Sequence, residues 1–396
     1  MKKNLIALAI FGAFSGAALA QSNVTLYGIF DINFQYNDPD ASGASSTRGI
    51  NSGHQSGSRW GVRGSEALSA GLNAVFTLEG GYAPDLGTQL QGGRLFGRQA
   101  WAGLSGGWGT LVAGRVATFS SGTGSFDMFG NADPFLTGFG DSSLGSTFTS
   151  AGALRLDNSV LYSSPSFGGF KVGGGYSFNA NGTEAAGSGG NNRVIFMGAN
   201  FARGPFFAAV TYDIIDVADG ATAGSAGSPA IFPNASDQKH LQVGATFDLK
   251  FLKLHGAYAK EDNVYFTSGI GTQFDTGADA DAWMGGVSVP LGPAGGTLLA
   301  SYQRRSGDPV NVCTGSFVAA TNGCSTAFTR RERDARVWAI GYTYPFSRRT
   351  NLYVNFSDAD IEQRISPIAG TPGTPVAAST TEGGRKQYTV GVRHLF

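Results

Sequence analysis

Apolar and polar residues alternate over short segments along most of this chain. Between Val24 and Tyr36 the even positions are apolar apart from Gly28, while the odd positions include Asp31 and Asn33. A period of two is typical of a β-strand with one buried face, and no stretch shows the 3.6-residue period of an amphipathic helix. The pattern therefore predicts an all-β protein. The same alternation recurs in three further segments, at 70–81, 239–249 and 351–357.

The connections between these segments are alternately short and long. Seven turns and eight loops separate sixteen strands, which is the organisation of an outer-membrane barrel with short periplasmic turns and long extracellular loops. In such a transmembrane antiparallel β-barrel every backbone group in the lipid zone is paired around the closed wall. The predicted turns are 66–69, 105–108, 164–168, 203–205, 248–251, 290–295 and 345–349. The predicted loops are 37–56, 82–93, 116–152, 180–191, 215–237, 262–279, 306–334 and 360–384.

The last strand ends at the C-terminal residue. Counting back from Phe396, every second residue is His394, Val392, Val390 and Tyr388, so one face is mostly apolar or aromatic. A strand at the end of a chain leaves an unpaired edge unless another strand covers it. The alternating strand at the start of the chain is the expected partner, and this pairing would close the barrel.

The first twenty residues have the pattern of an export signal. Two lysines precede an uncharged run at 5–17, and Ala18-Leu19-Ala20 follows with the small-x-small pattern of a cleavage site. The apolar run is too short for a spanning helix. The sequence therefore predicts a signal peptide at 1–20 and a single barrel domain at 21–396.

Composition narrows the alternatives. The chain has 61 glycines and only 14% charged residues, but 29 Phe, 13 Tyr and 5 Trp argue against disorder. The formal charge is zero, whereas a nucleic-acid-binding protein normally has a basic excess. An exported soluble β-sandwich or solenoid would also alternate. It would not need aromatic residues at so many strand ends, where they suit the two interfacial girdles of a membrane barrel.

Arginine outnumbers lysine, and several arginines lie within predicted strands. A charge that faces lipid at the midplane costs about 2–4 kcal/mol, so these arginines are expected to face the lumen. Trp60 and Val62 are typical of a lipid face, which places Arg59 and Arg63 in the lumen.

Two further strands are interpreted in the same way. Trp101 is predicted to face lipid together with Gln99, which would place Arg98, Ala100 and Ala102 in the lumen.

Next, the lipid-type residues Val160 and Tyr162 place Arg155 and Asp157 in the lumen, and Arg115 ends the strand before the longest connection. A cluster of guanidinium groups gives a fixed positive field in a narrow channel, which favours anions.

The longest connection, 116–152, is more apolar than a surface loop and contains six phenylalanines. Long loops without regular structure are usually functional or disordered. We interpret this third loop as folded into the lumen, with Asp127, Asp133 and Asp141 opposite the arginines. The alternative is that Arg–Asp pairs only brace the loop, and bracing and filtering are compatible.

Seven segments carry a family resemblance when they are taken together. They are VTLYG at 24–28, GSRWGVRGSEALSAGLNAVFTLE at 57–79, GRLFGRQAWAGL at 93–104, GTLVAGR at 109–115, DNSVLYSSPSFGGF at 157–170, SRRTNLY at 347–353 and the final VGVRHLF. These motifs resemble the general-diffusion porins of the β-proteobacterial outer membrane, including the neisserial type. The likeness implies a homotrimeric sixteen-stranded barrel whose third loop constricts each pore. It implies weakly selective passive passage of ions and small hydrophilic solutes, often favouring anions, in an outer membrane of lipid and lipopolysaccharide.

The resemblance also implies roles for single residues. Arg59, Arg98 and Arg155 match the constriction arginines of the family, and Arg115 matches the basic strand end before the third loop. The loop around Asp127 and Asp133 departs from the acidic Pro-Glu-Phe-Gly type of the family. Ile29 stands where some relatives have a pore lysine. The terminal Phe396 matches the signal that the barrel-assembly machinery reads.

Other candidate residues point to structural roles. Cys313 and Cys324 lie in one Gly/Ser/Thr-rich loop of an exported chain, so a disulfide is favoured over two free thiols. The four histidines are scattered without metal-ligand spacing, and no cofactor or metal is predicted. They are His54, His240, His255 and His394.

Three other functions compete with a diffusion pore. An enzyme is not predicted, because no G-x-S-x-G elbow, P-loop or dinucleotide fingerprint is present. A substrate-specific channel might show an aromatic ladder in the lumen, and only Tyr27 and Tyr353 have inward parity. A surface adhesive role could use the long loops, including Arg330, Arg331 and Arg333, but their sequence indicates no partner.

Overall fold

The computed structural model is a closed barrel of sixteen antiparallel strands, which confirms the predicted fold class and strand number. Each strand pairs with its sequence neighbours in the wall, so a short connection always joins adjacent strands. The strands are β1 Asn23–Pro39, β2 Arg59–Ser69, β3 Leu72–Ala83, β4 Gln99–Gly106, β5 Gly109–Ala117, β6 Arg155–Ser163, β7 Phe170–Ser177, β8 Arg193–Arg203, β9 Phe206–Asp216, β10 Gln238–Asp248, β11 Lys253–Val264, β12 Ala278–Pro290, β13 Thr297–Gly307, β14 Phe328–Pro345, β15 Thr350–Pro367 and β16 Arg385–Leu395.

The described part of the chain comprises 23–40, 43–69, 71–136, 138–139, 155–180, 182–184, 186, 191–216, 237–264, 273–274, 278–292, 295–308, 310–313, 317–318, 323–324, 328–367, 379–382 and 384–396. Side chains are described for these residues except 264, 273–274, 278, 310–333 and 363–382. The predicted signal peptide at 1–20 and Asp141 lie outside the described residues. So do the side chains of Cys313 and Cys324, and their disulfide stays a prediction.

The first and last strands close the barrel, as the alternation at the C-terminus predicted. β1 pairs with β16 from Ile29↔Leu395 to Pro39↔Arg385. The pairing continues one residue further, because Gly28 N–H donates to Phe396 O at 3.0 Å and Phe396 N–H donates to Gly28 O at 3.1 Å. The C-terminal edge is therefore fully covered by the start of the chain.

The two ends of the barrel differ as expected. Seven connections of two to six residues lie at one end, close to their predicted positions, and the longer connections lie at the other. The predicted loops 306–334 and 360–384 are partly wrong, because β14 and β15 are each 18 residues long. Their hairpin stays paired up to Thr329↔Pro367, so the wall extends well past the length needed to cross the lipid zone.

The first loop, predicted at 37–56, is also partly strand. Thr47–Ser52 pairs with the second half of β1, while β2 pairs with its first half. Between these two paired segments, residues 53–58 leave the wall and turn into the lumen, where the His54 backbone meets the third loop. We call residues 53–58 the inward bend of the first loop.

Side-chain exposure alternates along the wall, with apolar residues outside. Val160 and Tyr162 are exposed on the outer face, as predicted. The parity assigned to Trp101 is wrong, because Trp101 is 8% exposed and its ring lies 5.3 Å from that of Phe126 in the third loop. Ala102 faces outward instead. A large aromatic side chain suits the inner face here because the third loop excludes water from it.

Helical structure is almost absent from the described residues. One 3₁₀ turn, Gly130–Ala132, lies in the third loop. Among the residues that the structure describes, no helix is long and apolar enough to cross a membrane.

Candidate functional site

Four of the predicted arginines lie on one side of the lumen. Arg59 begins β2, Arg98 directly precedes β4, Arg115 is near the end of β5, and Arg155 begins β6. We call these four residues the arginine wall. All four are at least partly buried, since the chain places them where strands meet the long loops. The fifth predicted residue, Arg63, is more exposed and lies over the Tyr27 ring with its Cζ 5.0 Å from the ring centroid.

Glu79 of β3 sits between the first two arginines. Arg98 Nε donates to Glu79 Oε1 at 2.7 Å, and Arg59 Nη1 lies 4.0 Å from the same oxygen. The Tyr27 hydroxyl donates to Glu79 Oε2 at 2.9 Å. One buried carboxylate is therefore shared by two guanidinium groups, which leaves this part of the wall with a net positive charge.

Asp157 of β6 takes a similar position between two other arginines. Arg115 Nη1 donates to Asp157 Oδ1, and Arg94 Nη1 lies 2.8 Å from each carboxylate oxygen. Asp157 also accepts the Gly182 backbone N–H at 2.8 Å. The Arg115 charge is thus opposed directly by an acid, and again one carboxylate serves two arginines.

Arg155 differs from the other members of the arginine wall. Its described hydrogen bond runs from Nη2 to Thr123 Oγ1 of the third loop at 3.3 Å. Among the described residues, no carboxylate lies within 4.0 Å of its guanidinium. Arg155 is therefore the member of the wall whose charge is least compensated.

The third loop, residues 118–154, follows the opposite side of the lumen in its described part, 118–136 and 138–139. Its bulky residues lie against glycines of the wall, where a side chain would collide with them. A Cβ on Gly198 would lie 2.8 Å from Phe119 Cβ, and one on Gly286 would lie 2.7 Å from Pro134 Cγ. The glycines that receive the loop are Gly173, Gly198, Gly244, Gly286 and Gly341, from β7, β8, β10, β12 and β14.

Polar contacts fix the loop at both ends of this path. Ser120 Oγ donates to Asp213 Oδ2 of β9 at 2.7 Å, and the Ser125 N–H donates to Gln99 Oε1 of β4 at 3.0 Å. His255 Nδ1 lies 3.2 Å from Ala132 O; because a carbonyl oxygen only accepts, Nδ1 carries the proton. The loop is therefore held by the wall itself, and at Thr123 it contacts Arg155 of the arginine wall.

The inward bend of the first loop supports the far end of the third loop. The Phe139 N–H donates to His54 O, and the His54 ring stacks 6.0 Å from that of Tyr353 at 16°. The Tyr353 hydroxyl donates to Asp31 Oδ1 at 2.6 Å, and Asp31 Oδ2 accepts the Ser56 N–H at 2.7 Å. Asp31 thus anchors the inward bend to β1.

The described hydrogen bonds of two predicted loop acids are with the backbone of their own loop. Asp127 accepts backbone N–H groups of Gly122, Phe129 and Gly130, and Asp133 accepts the Phe135 N–H at 2.8 Å. Burial raises the pKa of Asp127, although these backbone hydrogen bonds oppose the shift. The carboxylates that contact the arginines come from the wall, so for Asp127 the described contacts are those of loop bracing.

The acids of the wall were not selected as site residues from the sequence. The alternation predicts a lumen position for Asp157, but it pairs neither Asp157 nor Glu79 with an arginine. Their partners belong to strands or loops distant in sequence, 19 residues away for Arg98 and 42 for Arg115. Arg94 lies in a loop, where alternation predicts no direction. No group of three potential metal ligands occurs among the described residues.

Comparison with known proteins agrees with this architecture. The family described as Gram-negative porin matches residues 5–363. The chain belongs to this family. An outer membrane porin protein of Bordetella pertussis is 34% identical over the full length of both chains, and outer membrane porin protein 32 of Delftia acidovorans is 32% identical, also over both full lengths. The resemblance seen in the sequence is therefore confirmed.

A solved structure gives the same result. The anion-selective porin from Comamonas acidovorans matches with a TM-score of 0.68 and 25% identity, over 95% of this chain and all of that one. The major outer membrane protein P.IB of Neisseria gonorrhoeae is 32% identical over 52% of this chain and 56% of its own length. The protein is an outer-membrane porin, a channel rather than an enzyme.

Proposed function

We propose that this porin is weakly anion-selective and that the arginine wall is its filter. The supporting observation is the unequal count of charges: Glu79 serves Arg59 and Arg98, Asp157 serves Arg94 and Arg115, and Arg155 has no described acidic contact. A fixed excess of positive charge in a narrow channel raises the local concentration of anions. The relative from Comamonas acidovorans, named as anion-selective, is consistent with this sign.

The reversal potential under a salt gradient tests this proposal. The mature protein is refolded, inserted into a planar bilayer and studied with KCl at two concentrations. A reversal potential whose sign indicates chloride preference supports the proposal that the arginine wall determines the selectivity. Cation preference would contradict it, and absence of conductance from folded protein would contradict the pore itself.

Replacing the shared acid should strengthen the anion preference. In Glu79→Gln the side chain keeps its shape, but Arg59 and Arg98 lose the carboxylate between them. Because one partner of a buried ion pair is removed, we expect a loss of about 3–5 kcal/mol in the free energy of unfolding. In the channels that fold, the chloride-to-potassium permeability ratio should rise about two- to fourfold.

The matched variant is Glu66→Gln, an exposed acid near the other end of the same β2–β3 hairpin. It should change neither the permeability ratio nor the urea midpoint measurably. An unchanged ratio in folded Glu79→Gln channels would mean that Glu79 does not moderate the filter.

We further propose that the short turns face the periplasm, that the long loops face the exterior, and that the chain assembles as a homotrimer amid lipid and lipopolysaccharide. Exposed apolar residues on the outer face of β1, among them Val24 at 61% and Leu26 at 63%, support a covered or lipid-facing surface there. Cross-linking of the native protein in membranes, followed by denaturing electrophoresis, would show three subunits. A ladder that stops at two subunits would contradict the trimer.

Phe396 is proposed as the signal read by the barrel-assembly machinery. Its ring lies over Gly28 at the closing seam, which its backbone hydrogen bonds extend. Phe396→Ala keeps those bonds, so the folded barrel should keep its stability while assembly in cells falls several-fold. The measurement is the heat-modifiable band from isolated outer membranes.

The control is Phe346→Ala, which removes an aromatic ring 63% exposed in a turn at the same end of the barrel. Equal amounts of folded protein for both variants would contradict a special role for the terminal residue.

A further inference from the structure

A second lumen feature lies away from the arginine wall. A cavity of about 600 Å³ lies between residues 133–136 and 139 of the third loop and the short turns of the barrel. Its walls come from β11 to β16 and the turns between them, whereas the arginine wall belongs to β2–β6. We call this space the short-turn cavity. It occupies the end of the pore that we assigned to the periplasm.

The cavity is lined by an excess of basic groups. Lys253, Arg348, Arg349 and Arg393 line it, and Asp133 is the acid among its described lining residues. The Asp133 carboxylate already accepts the Phe135 N–H. Four cations therefore line this space together with one described acid, which leaves an excess of positive charge.

These cations are not neutralised by ion pairs. In the described part of the chain, none of the four has a carboxylate within 4.0 Å, the C-terminal carboxylate included. Arg393 is held in place by neutral partners, since Nη1 donates to Ser56 Oγ at 3.0 Å and Nε donates to Asn351 Oδ1 at 3.2 Å. Asp31 acts on Arg393 but is occupied by Tyr353 and Ser56.

Neutral groups at the cavity complete a donor set. Ser347 Oγ accepts the N–H groups of Arg349 and Thr350 at 3.1 Å each, which leaves its own O–H free to donate into the cavity. Both ring nitrogens of His255 already have partners, because Nδ1–H donates to Ala132 O and Nε2 lies 3.0 Å from Ser288 Oγ. The cavity thus combines guanidinium, ammonium and hydroxyl donors, which are the groups that bind carboxylate and phosphate oxygens.

We propose that the short-turn cavity binds small multivalent oxyanions, either polycarboxylates or phosphates, and so forms a second anion station in series with the arginine wall. The inference rests on the proposed pore function, since solutes reach the cavity through the channel. A multivalent anion fits because several unpaired cations meet in one space, whereas a chloride ion would oppose only one of them.

Side-specific block of single channels tests this site. Citrate and pyrophosphate are added in turn to each side of the bilayer in about 0.1 M KCl, where charges act over roughly 10 Å. Both anions should block at lower concentration from the cavity side. The double variant Arg348→Gln/Arg349→Gln should raise the half-blocking concentration on the order of tenfold, and 1 M KCl should weaken the block of the natural protein.

The control is Arg203→Gln, which removes an exposed arginine at the β8–β9 turn of the same end without touching the cavity lining. It should shift the half-blocking concentration less than twofold. Titration calorimetry of both anions into folded protein in detergent measures the site without conduction, so a failed pore and a failed site give different results.

The outcomes separate clearly. Binding of only one of the two anions supports the site and identifies its ligand as carboxylate or phosphate. If Arg155→Gln channels lose their anion preference but are still blocked by citrate or pyrophosphate, this also supports two separate anion sites. Block of equal strength from both sides, unchanged in the double variant, would overturn the proposal, as would calorimetric binding that the double variant does not weaken.

Discussion

Arg155→Gln is expected to lower the chloride-to-potassium permeability ratio about fourfold. The guanidinium contacts Thr123 Oγ1 of the third loop and no described carboxylate, so its charge acts on passing ions with little local opposition. A unit charge about 10 Å from an ion in water contributes about 0.4 kcal/mol, with opposite sign for chloride and potassium. The ratio therefore changes by about 0.8 kcal/mol, which corresponds to a factor of about four. The reversal potential under a KCl gradient, compared with that of the natural protein, gives the ratio.

Two variants separate charge from shape. Arg155→Lys keeps the charge and loses the planar group, so most of the anion preference should remain. Arg94→Gln removes a more exposed arginine whose charge is opposed by Asp157, and its effect should be smaller than that of Arg155→Gln. If Arg155→Lys and Arg155→Gln shift the ratio equally, or if Arg94→Gln shifts it more, the filter does not depend on the unopposed charge of Arg155.

The wall of the barrel could be predicted because each strand carries its own signal. In β3 the alternation of Phe76, Thr77 and Leu78 depends only on which face contacts lipid, and the structure shows the strand that this alternation predicts. The same rule placed Arg59 and Arg155 in the lumen, because a lipid-facing charge is costly wherever it occurs along the strand. Closure at the Phe396 seam followed from the need to cover an edge.

The rule failed where the lumen is not aqueous. Trp101 was assigned to lipid because large aromatics usually face it, but the third loop brings Phe126 over the inner face of β4 and makes that position dry. The sequence of β4 alone does not indicate that a loop from later in the chain packs against its inner face. An apolar residue in a porin strand therefore indicates contact with an apolar surface, which can be lipid or an inward-folded loop.

The pairing of charges also required distant contacts. The acids Asp127 and Asp133 were chosen because they lie on the loop that faces the arginines, yet short side chains at a turn readily bind their own backbone. Glu79 and Asp157 reach the arginines because neighbouring strands bring them within a few ångströms. Alternation shows which face of the wall a residue lies on, but not which residue it contacts. It could therefore predict that arginines line the lumen, but not which carboxylates pair with them.

The largest structural effect is expected from Phe119→Ala. Phe119 is fully buried, its ring lies 5.7 Å from that of Phe196, and it occupies the space left by Gly173 and Gly198. Truncation leaves a cavity at the point where the third loop meets the wall, and such losses cost about 3–5 kcal/mol. Because the loop is held by local contacts while the barrel is held by its closed ladder, the loss should fall mainly on the loop.

Single-channel recording distinguishes loop release from general instability. If the loop detaches, open-channel current should increase and become noisier, while the heat-modifiable barrel band stays folded. Leu136→Ala is the matched control, since Leu136 lies on the same loop but is 61% exposed and should leave the current level unchanged. A Phe119→Ala channel with natural conductance and noise would show that the glycine contacts do not hold the constriction, and that Ser120, Ser125 and Ala132 suffice to keep the loop in place.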